Sequence, residues 1–290
     1  MEQNLVEIRG LVKRYGDFAL QQVNLDVPAG YVVGMVGANG AGKTTIIKSL
    51  LGLLRPEAGT VRVLGKAPRD DGWRERVGVV FDVCAFPSEI RVADVARIGK
   101  SAYANWDDAM FWRIAEPLGA GGAKVVKELS RGMSMRLSLA FALAHNPDLL
   151  ILDEPTAGLD PLARGEILDL LRDYMNTGER GILMATHITT DLEKIADWLV
   201  CIDGGRVAFS CPKDDVCSLA GVAHCRQADL DRVLQQGGYE SGDLRFIRRA
   251  HGVDVLVPDR FAFERLGLDV PCDSVSIDDY LEFTLKGETR

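Results

Sequence analysis

Nine consecutive residues, Gly37-Ala38-Asn39-Gly40-Ala41-Gly42-Lys43-Thr44-Thr45, carry the densest chemistry in the chain. Glycines at this spacing let the backbone curl until successive N–H groups point inward at an anion. Lys43 adds a full positive charge for outer phosphates, and the Thr44 hydroxyl is a hard oxygen donor of the kind magnesium prefers. An apolar run, Tyr31 to Val36, precedes the loop, and a helix-like run, Ile46 to Leu54, follows it. Strand, glycine-rich loop and helix is the context a phosphate-binding loop needs, because the helix N-terminus contributes a partial positive charge.

A second stretch, Leu149-Leu150-Ile151-Leu152-Asp153-Glu154, is four apolar residues ending in two carboxylates. A buried parallel strand reads like that. In doubly wound sheets ligands sit at the carboxyl ends of strands, so both acids should emerge where phosphates lie. Alternation sends adjacent side chains to different sides. Asp153 is thereby expected to hold a magnesium shell, and Glu154 to orient or deprotonate an attacking water.

Four more segments complete a constellation: Leu129-Ser130-Arg131-Gly132-Met133 ahead of a helix, Gly158-Leu159-Asp160-Pro161, Ala185-Thr186-His187 at the end of an apolar run, and Tyr15 in Lys13-Arg14-Tyr15-Gly16. In order and spacing the six segments resemble the ATP-binding-cassette (ABC) ATPases over roughly residues 3 to 215. The resemblance implies an α/β P-loop NTPase fold with an antiparallel β subdomain and a helical insert over about 84–135. It implies ATP and Mg²⁺ as ligands, with Thr44 and Asp153 at the metal. Tyr15 would stack on adenine and His187 would act as the switch histidine. Ser130 and Gly132 would close over ATP bound to a second nucleotide-binding subunit, with Asp160 at the seam.

Two departures from that family's pattern stand out. Arg131 and Met133 replace the usual Gly and Gln of the signature, and Asp82 replaces the glutamine expected after the strand Val77–Phe81. Asp82 is expected to contact the metal shell, directly or through water. These forms, with Tyr103-Ala104-Asn105-Trp106-Asp107 and the tail ending Leu281-Glu282-Phe283, resemble a bacterial subgroup linked to bacitracin or acetoin transport. That subgroup pairs with a separate ABC-2-type membrane permease, and export is the implied direction. The groove near Cys84-Ala85-Phe86-Pro87 would receive the permease; Phe86 either anchors it or packs the insert. The competing readings are a soluble cassette working on ribosomes, DNA or iron–sulfur assembly, and a switch that barely hydrolyses nucleotide.

Composition limits the alternatives. The chain has 290 residues, 47% hydrophobic, with a formal net charge of −8. No long Lys/Arg stripe is present, so a broad nucleic-acid surface is not expected. No run reaches the roughly 20 apolar residues that span a bilayer. Met1-Glu2-Gln3-Asn4 is acidic and polar, unlike a signal peptide. A cytoplasmic protein, peripheral on the inner face of the membrane through its permease, is the expectation. Six cysteines (84, 201, 211, 217, 225 and 272) form no CxxC pair and read as buried thiols. His145, His224 and His251 have no partners at ligand spacing.

Along the chain, Leu5 to Pro28 alternates as two antiparallel strands bent at Tyr15-Gly16-Asp17. The cassette is expected over 1–215 and a small C-terminal α/β appendage over 216–290. In the appendage Gly237-Gly238 and Pro258 punctuate, Phe246-Ile247 and Val253 to Val257 read as strands, and Ser276 to Leu285 reads as an amphipathic helix capped by Ser276.

Overall fold

A computed structural model describes residues 3–289 apart from 17, 117–121, 177–178, 227–228, 231, 234–243 and 251. Asp17, Gly237, Gly238 and His251 therefore lie outside the described residues. The uninterrupted apolar runs form the centre. Strands β3 (Val32–Val36), β6 (Leu149–Asp153) and β7 (Gly181–Thr186) are buried at every position. They belong to a six-stranded sheet of order β5-β6-β7-β3-β8-β9, completed by β5 (Val77–Val80), β8 (Trp198–Asp203) and β9 (Arg206–Pro212). All neighbours pair in parallel except β8 and β9. A parallel strand needs cover on both faces, and alternation provides two cores. Leu150, Leu152, Ile182 and Met184 pack on one side. Leu149, Ile151, Leu183 and Ala185 pack on the other.

The first side is covered by helices α4 (Arg131–Ala144), α5 (Pro161–Met175) and α6 (Thr189–Ile195). The second is covered by α1 (Lys43–Leu50) and by a three-stranded antiparallel sheet of order β2-β1-β4. Its strands are β1 (Asn4–Tyr15), β2 (Phe18–Pro28) and β4 (Ala58–Val63), so the expected bent pair is present. The helical text after β5 forms α2 (Val92–Ala102) and α3 (Asp108–Ala115), which pack against α4 around buried Phe111 and Ile114. Phe86 packs here too, edge-on to Phe141 with ring centroids 5.1 Å apart. It is half-buried rather than an exposed anchor, because the insert needs aromatic bulk at that corner; Val83, 69% exposed, is the apolar side chain that faces outward instead. His145 is buried and stacks on Tyr103 at 4.1 Å, and burial holds its pKa below the ordinary imidazole range.

The C-terminal residues form an antiparallel sheet of order β13-β10-β12-β11-β14. Its strands are β10 (Gly221–Cys225), β11 (Arg245–Arg249), β12 (Gly252–Val257), β13 (Cys272–Ser274) and β14 (Glu288–Thr289). The last helix, Ile277–Lys286, starts with the expected cap: the Asp279 N–H donates to Ser276 Oγ at 3.1 Å, and the Ser276 N–H donates to Asp279 Oδ2 at 3.2 Å. One sheet face has its own core around Phe263 and Val255. From the other, Val222 and Leu256 join Ile277 and Phe283 of the last helix in the core beneath α6. Phe283→Ala should cost ~3–5 kcal/mol, the range for emptying a buried aromatic position. Urea unfolding followed by far-UV circular dichroism should still show one transition, shifted to lower urea; no shift would mean the helix is not anchored by Phe283.

Candidate functional site

Strand register builds the site. Val36 of β3 pairs with Thr186 of β7, and Asp153 of β6 pairs with Ala185 of β7. Three strands therefore end at one level, and Gly37, His187 and Glu154 all leave the same carboxyl edge. The Gly37 loop then turns into α1. Gly42 makes this turn with φ +119°, and a Cβ there would meet Leu20 Cδ2 at 2.7 Å and Phe18 Cζ at 2.8 Å. Gly37 is equally confined: its Cβ would fall 2.3 Å from the Ile202 carbonyl oxygen. Only glycine fits either position without displacing neighbours.

Around this loop lies a cavity of about 680 Å³. Ala38, Asn39, Gly40, Gly42, Lys43, Thr44 and Thr45 line one side, and Asp82, Asp153 and Glu154 the other. Gly37 and Ala41 support the loop from behind; Ala41 is buried, and its carbonyl accepts from the Gly205 N–H. Lys43 is 6% exposed, and its ammonium donates to the carbonyls of Gly37 (2.6 Å) and Ala38 (3.3 Å) while standing 3.4 Å from Glu154 Oε1. It is thus both a charge in the cavity and a strut across its loop.

The two acids differ as their adjacency suggests. Asp153 is buried, and Thr44 Oγ1 donates to its Oδ2 at 2.8 Å. Its other oxygen, Oδ1, is buried with no hydrogen-bond partner. Burial pushes this carboxyl above its ordinary pKa; Thr44 opposes the rise, and the charges of Asp82 and Glu154 add to it. An orphaned carboxylate oxygen beside a hydroxyl, in a place that disfavours uncompensated negative charge, fits a small hard divalent cation. Glu154 reaches its place differently. Its backbone is in the left-handed region at φ 53°, a conformation costing roughly 1–2 kcal/mol in a residue with a Cβ. Its N–H donates to the Ala185 carbonyl at 2.8 Å. Its Oε2 accepts from Thr186 Oγ1 (3.1 Å) and the His187 N–H (3.3 Å), and lies 2.8 Å from His187 Nδ1. The carboxylate is held by the very strand end that presents the histidine.

A second, separate cleft of about 520 Å³ contains Ser130, Gly132 and Asp160. Ser130 caps α4, its Oγ accepting from the Met133 N–H at 3.3 Å, and Asp160 Oδ1 caps α5, accepting from the Leu162 and Ala163 N–H groups at 3.0 Å each. These three residues do not join the phosphate-type cavity within one copy of the chain. The turn before Asp160 is tied to α6 by a buried hydrogen bond from Thr156 Oγ1 to Asp191. Tyr15, 69% exposed at the end of β1, does not line the cavity either. The aromatics that do are Phe18 and Phe81, and Lys48 adds a second cation; sequence reasoning missed all three as cavity residues. Lys48 was legible as the residue one helical turn beyond Thr44. Phe18 depends on how β2 bends over the loop.

Fold and site together define a P-loop nucleotide-binding protein. A family model for ABC transporters matches residues 20–157. The chain is 37% identical over 211 residues to the daunorubicin/doxorubicin resistance ATP-binding protein DrrA of Streptomyces peucetius, covering 70% of this chain and 63% of that one. It is 39% identical over 210 residues to the Nod factor export ATP-binding protein I of Burkholderia orbicola, covering 69% and 68%. With the bacitracin transport ATP-binding protein BcrA of Enterococcus faecalis it shares 33% identity, covering 70% and 68%. The solved structure of an ABC transporter ATP-binding subunit superposes with a TM-score of 0.65 at 29% identity, over 73% of this chain and 91% of that one. The chain belongs to the ATP-binding subunits of ABC transporters. It spans just under two thirds of the length of the drug-resistance relative. Among the described residues, no helix is long and apolar enough to cross a membrane.

Proposed function

We propose that this chain binds ATP with Mg²⁺, pairs with a second nucleotide-binding subunit, and hydrolyses ATP to drive a separate ABC-2-type membrane permease in the export direction. The observation that carries the reading is the Glu154 carboxylate, held by Thr186 and His187 at the mouth of a glycine loop that also holds Lys43. The names of the relatives, which concern drug resistance, Nod factor export and bacitracin transport, support the direction.

The triphosphate would lie along the loop Gly37–Thr45, where charge-assisted bonds from backbone N–H groups contribute about 1.5–3 kcal/mol each. Tyr15 would stack on adenine, adding ~1–3 kcal/mol. Phosphate contacts then dominate affinity. Thr44 and Asp153, with Asp82 alongside, would hold Mg²⁺, which would supply charge to offset that of the phosphates. Glu154 takes the proton from the attacking water, or aligns it, and His187 orients Glu154 and faces the γ-phosphate. The other side of that phosphate needs donors that one copy does not bring near it. Ser130 and Gly132 of the second subunit would supply them, with Asp160 at the seam, so ATP joins the halves and hydrolysis releases them. Residues 1–215 would form the cassette and 216–290 its appendage. Docked on its permease, the protein would sit on the cytoplasmic face of the membrane without contacting nucleic acid.

The test is affinity purification from membranes, combined with phosphate release in the presence of Mg²⁺. A polytopic subunit should copurify; recovery of ribosomes alone overturns the transport reading. Asp82→Asn tests the metal role. It should raise the Mg²⁺ concentration for half-maximal phosphate release several-fold. Unchanged magnesium dependence and turnover would remove Asp82 from the metal shell.

A further inference from the structure

Between the phosphate cavity and the cleft of Ser130 runs a groove of about 280 Å³, formed by the loop after β5 and the first turns of α4. Two charged side chains line it, Asp82 and Arg131, and the rest of its lining is neutral. Asp82 also lines the phosphate cavity, and Arg131 also lines the cleft. The groove therefore borders both sites, with opposite charges on its lining. Arg131 is positioned by packing. A Cβ on Gly158, whose φ is +72°, would lie 3.2 Å from Arg131 Cζ and Nε, so the guanidinium stem rests on the bare backbone of the turn leading to Asp160. Asp82 has a charge problem. It shares one side of the phosphate cavity with Asp153 and Glu154, the cations lining that cavity are Lys43 and Lys48, and its charge acts on Asp153. A bound polyphosphate would add several negative charges to three carboxylates. These same two residues are the two charge-adding departures from the family pattern.

We propose that Arg131 is a positioning residue for nucleotide binding: it offsets the Asp82 carboxylate across this groove and couples the phosphate cavity to the turn at Gly158. The inference rests on the nucleotide-binding reading above. Asp82 and Arg131 are both exposed, so their attraction along the groove is the modest, salt-screened one of surface charges, about 0.2–1 kcal/mol. Neutralising Arg131 leaves Asp82 to repel the incoming phosphates. Once Asp82 is neutral as well, losing Arg131 should matter little.

The experiment is a double-mutant cycle on Mg-ATP affinity, measured by calorimetry at saturating magnesium with the full chain. Arg131→Gln should weaken binding about fivefold, equivalent to about 1 kcal/mol. In an Asp82→Asn background the same change should cost less than about twofold, a non-additivity that neighbouring interacting sites show and independent ones do not. Arg131→Lys, which keeps the charge, should bind close to wild type. Equal losses in both backgrounds would reduce Arg131 to a packing residue and overturn the coupling, as would failure of lysine to rescue. Absence of Mg-ATP binding by the wild-type chain would instead overturn the nucleotide reading itself, and the coupling with it.

Discussion

Glu154→Gln is expected to lower phosphate release by about 10²–10⁴-fold, the usual contribution of a general base, while ATP affinity stays near wild type. The amide keeps the shape of the carboxylate, and its oxygen can still accept from Thr186 and the His187 N–H. Lost are the basicity toward water and the attraction to Lys43, 3.4 Å away. Because binding survives and turnover does not, the variant should accumulate as an ATP-bound dimer. Size-exclusion chromatography with and without ATP reads that directly. Turnover persisting near wild type would remove Glu154 from the chemistry.

Lys43→Ala should fail one step earlier. The ammonium is buried and holds two loop carbonyls besides its charge. Its removal deletes a phosphate contact and loosens the loop. With charge-assisted bonds at about 1.5–3 kcal/mol each, losing that contact alone should lower affinity roughly 10- to 150-fold, and the loosened loop adds to the loss. Calorimetry with Mg-ATP should show no measurable heat at micromolar protein. No ATP-dependent dimer should form, in contrast to Glu154→Gln. If Lys43→Ala bound nucleotide normally, the phosphate site would lie elsewhere.

Much of this site was legible before any coordinates. The apolar runs Tyr31–Val36 and Gly181–Met184 stand out, Leu149–Leu152 reads as a buried parallel strand, and the two acids after it are expected at the carboxyl edge, where doubly wound sheets bind ligands. What the sequence could not reveal depends on chain reversal and long-range packing. Alternation explains why Asp153 and Glu154 differ, but not the left-handed backbone at φ 53° that turns Glu154 toward Thr186 and His187. Phe86 was open to either role, and its contact with Phe141 on α4, 55 positions away, decides for packing. Phe18 looked like one more alternating strand residue until β2 brought it over Gly42. Tyr15 ends exposed, which leaves a ring face free for a base but supplies no wall of its own.

The Ile277 N–H at the start of the last helix donates to Glu193 Oε1, 3.2 Å away on α6, the helix that begins two residues after His187. That bond makes the chain's end a poor module. A version shortened before the last helix would strip Glu193 of its donor, and a chimera that exchanged tails between related subunits would keep the bond only if the new helix started at the same place. Exchange would have to carry both sides of the seam together. An inserted tag or reporter would disturb least if it kept clear of that last helix.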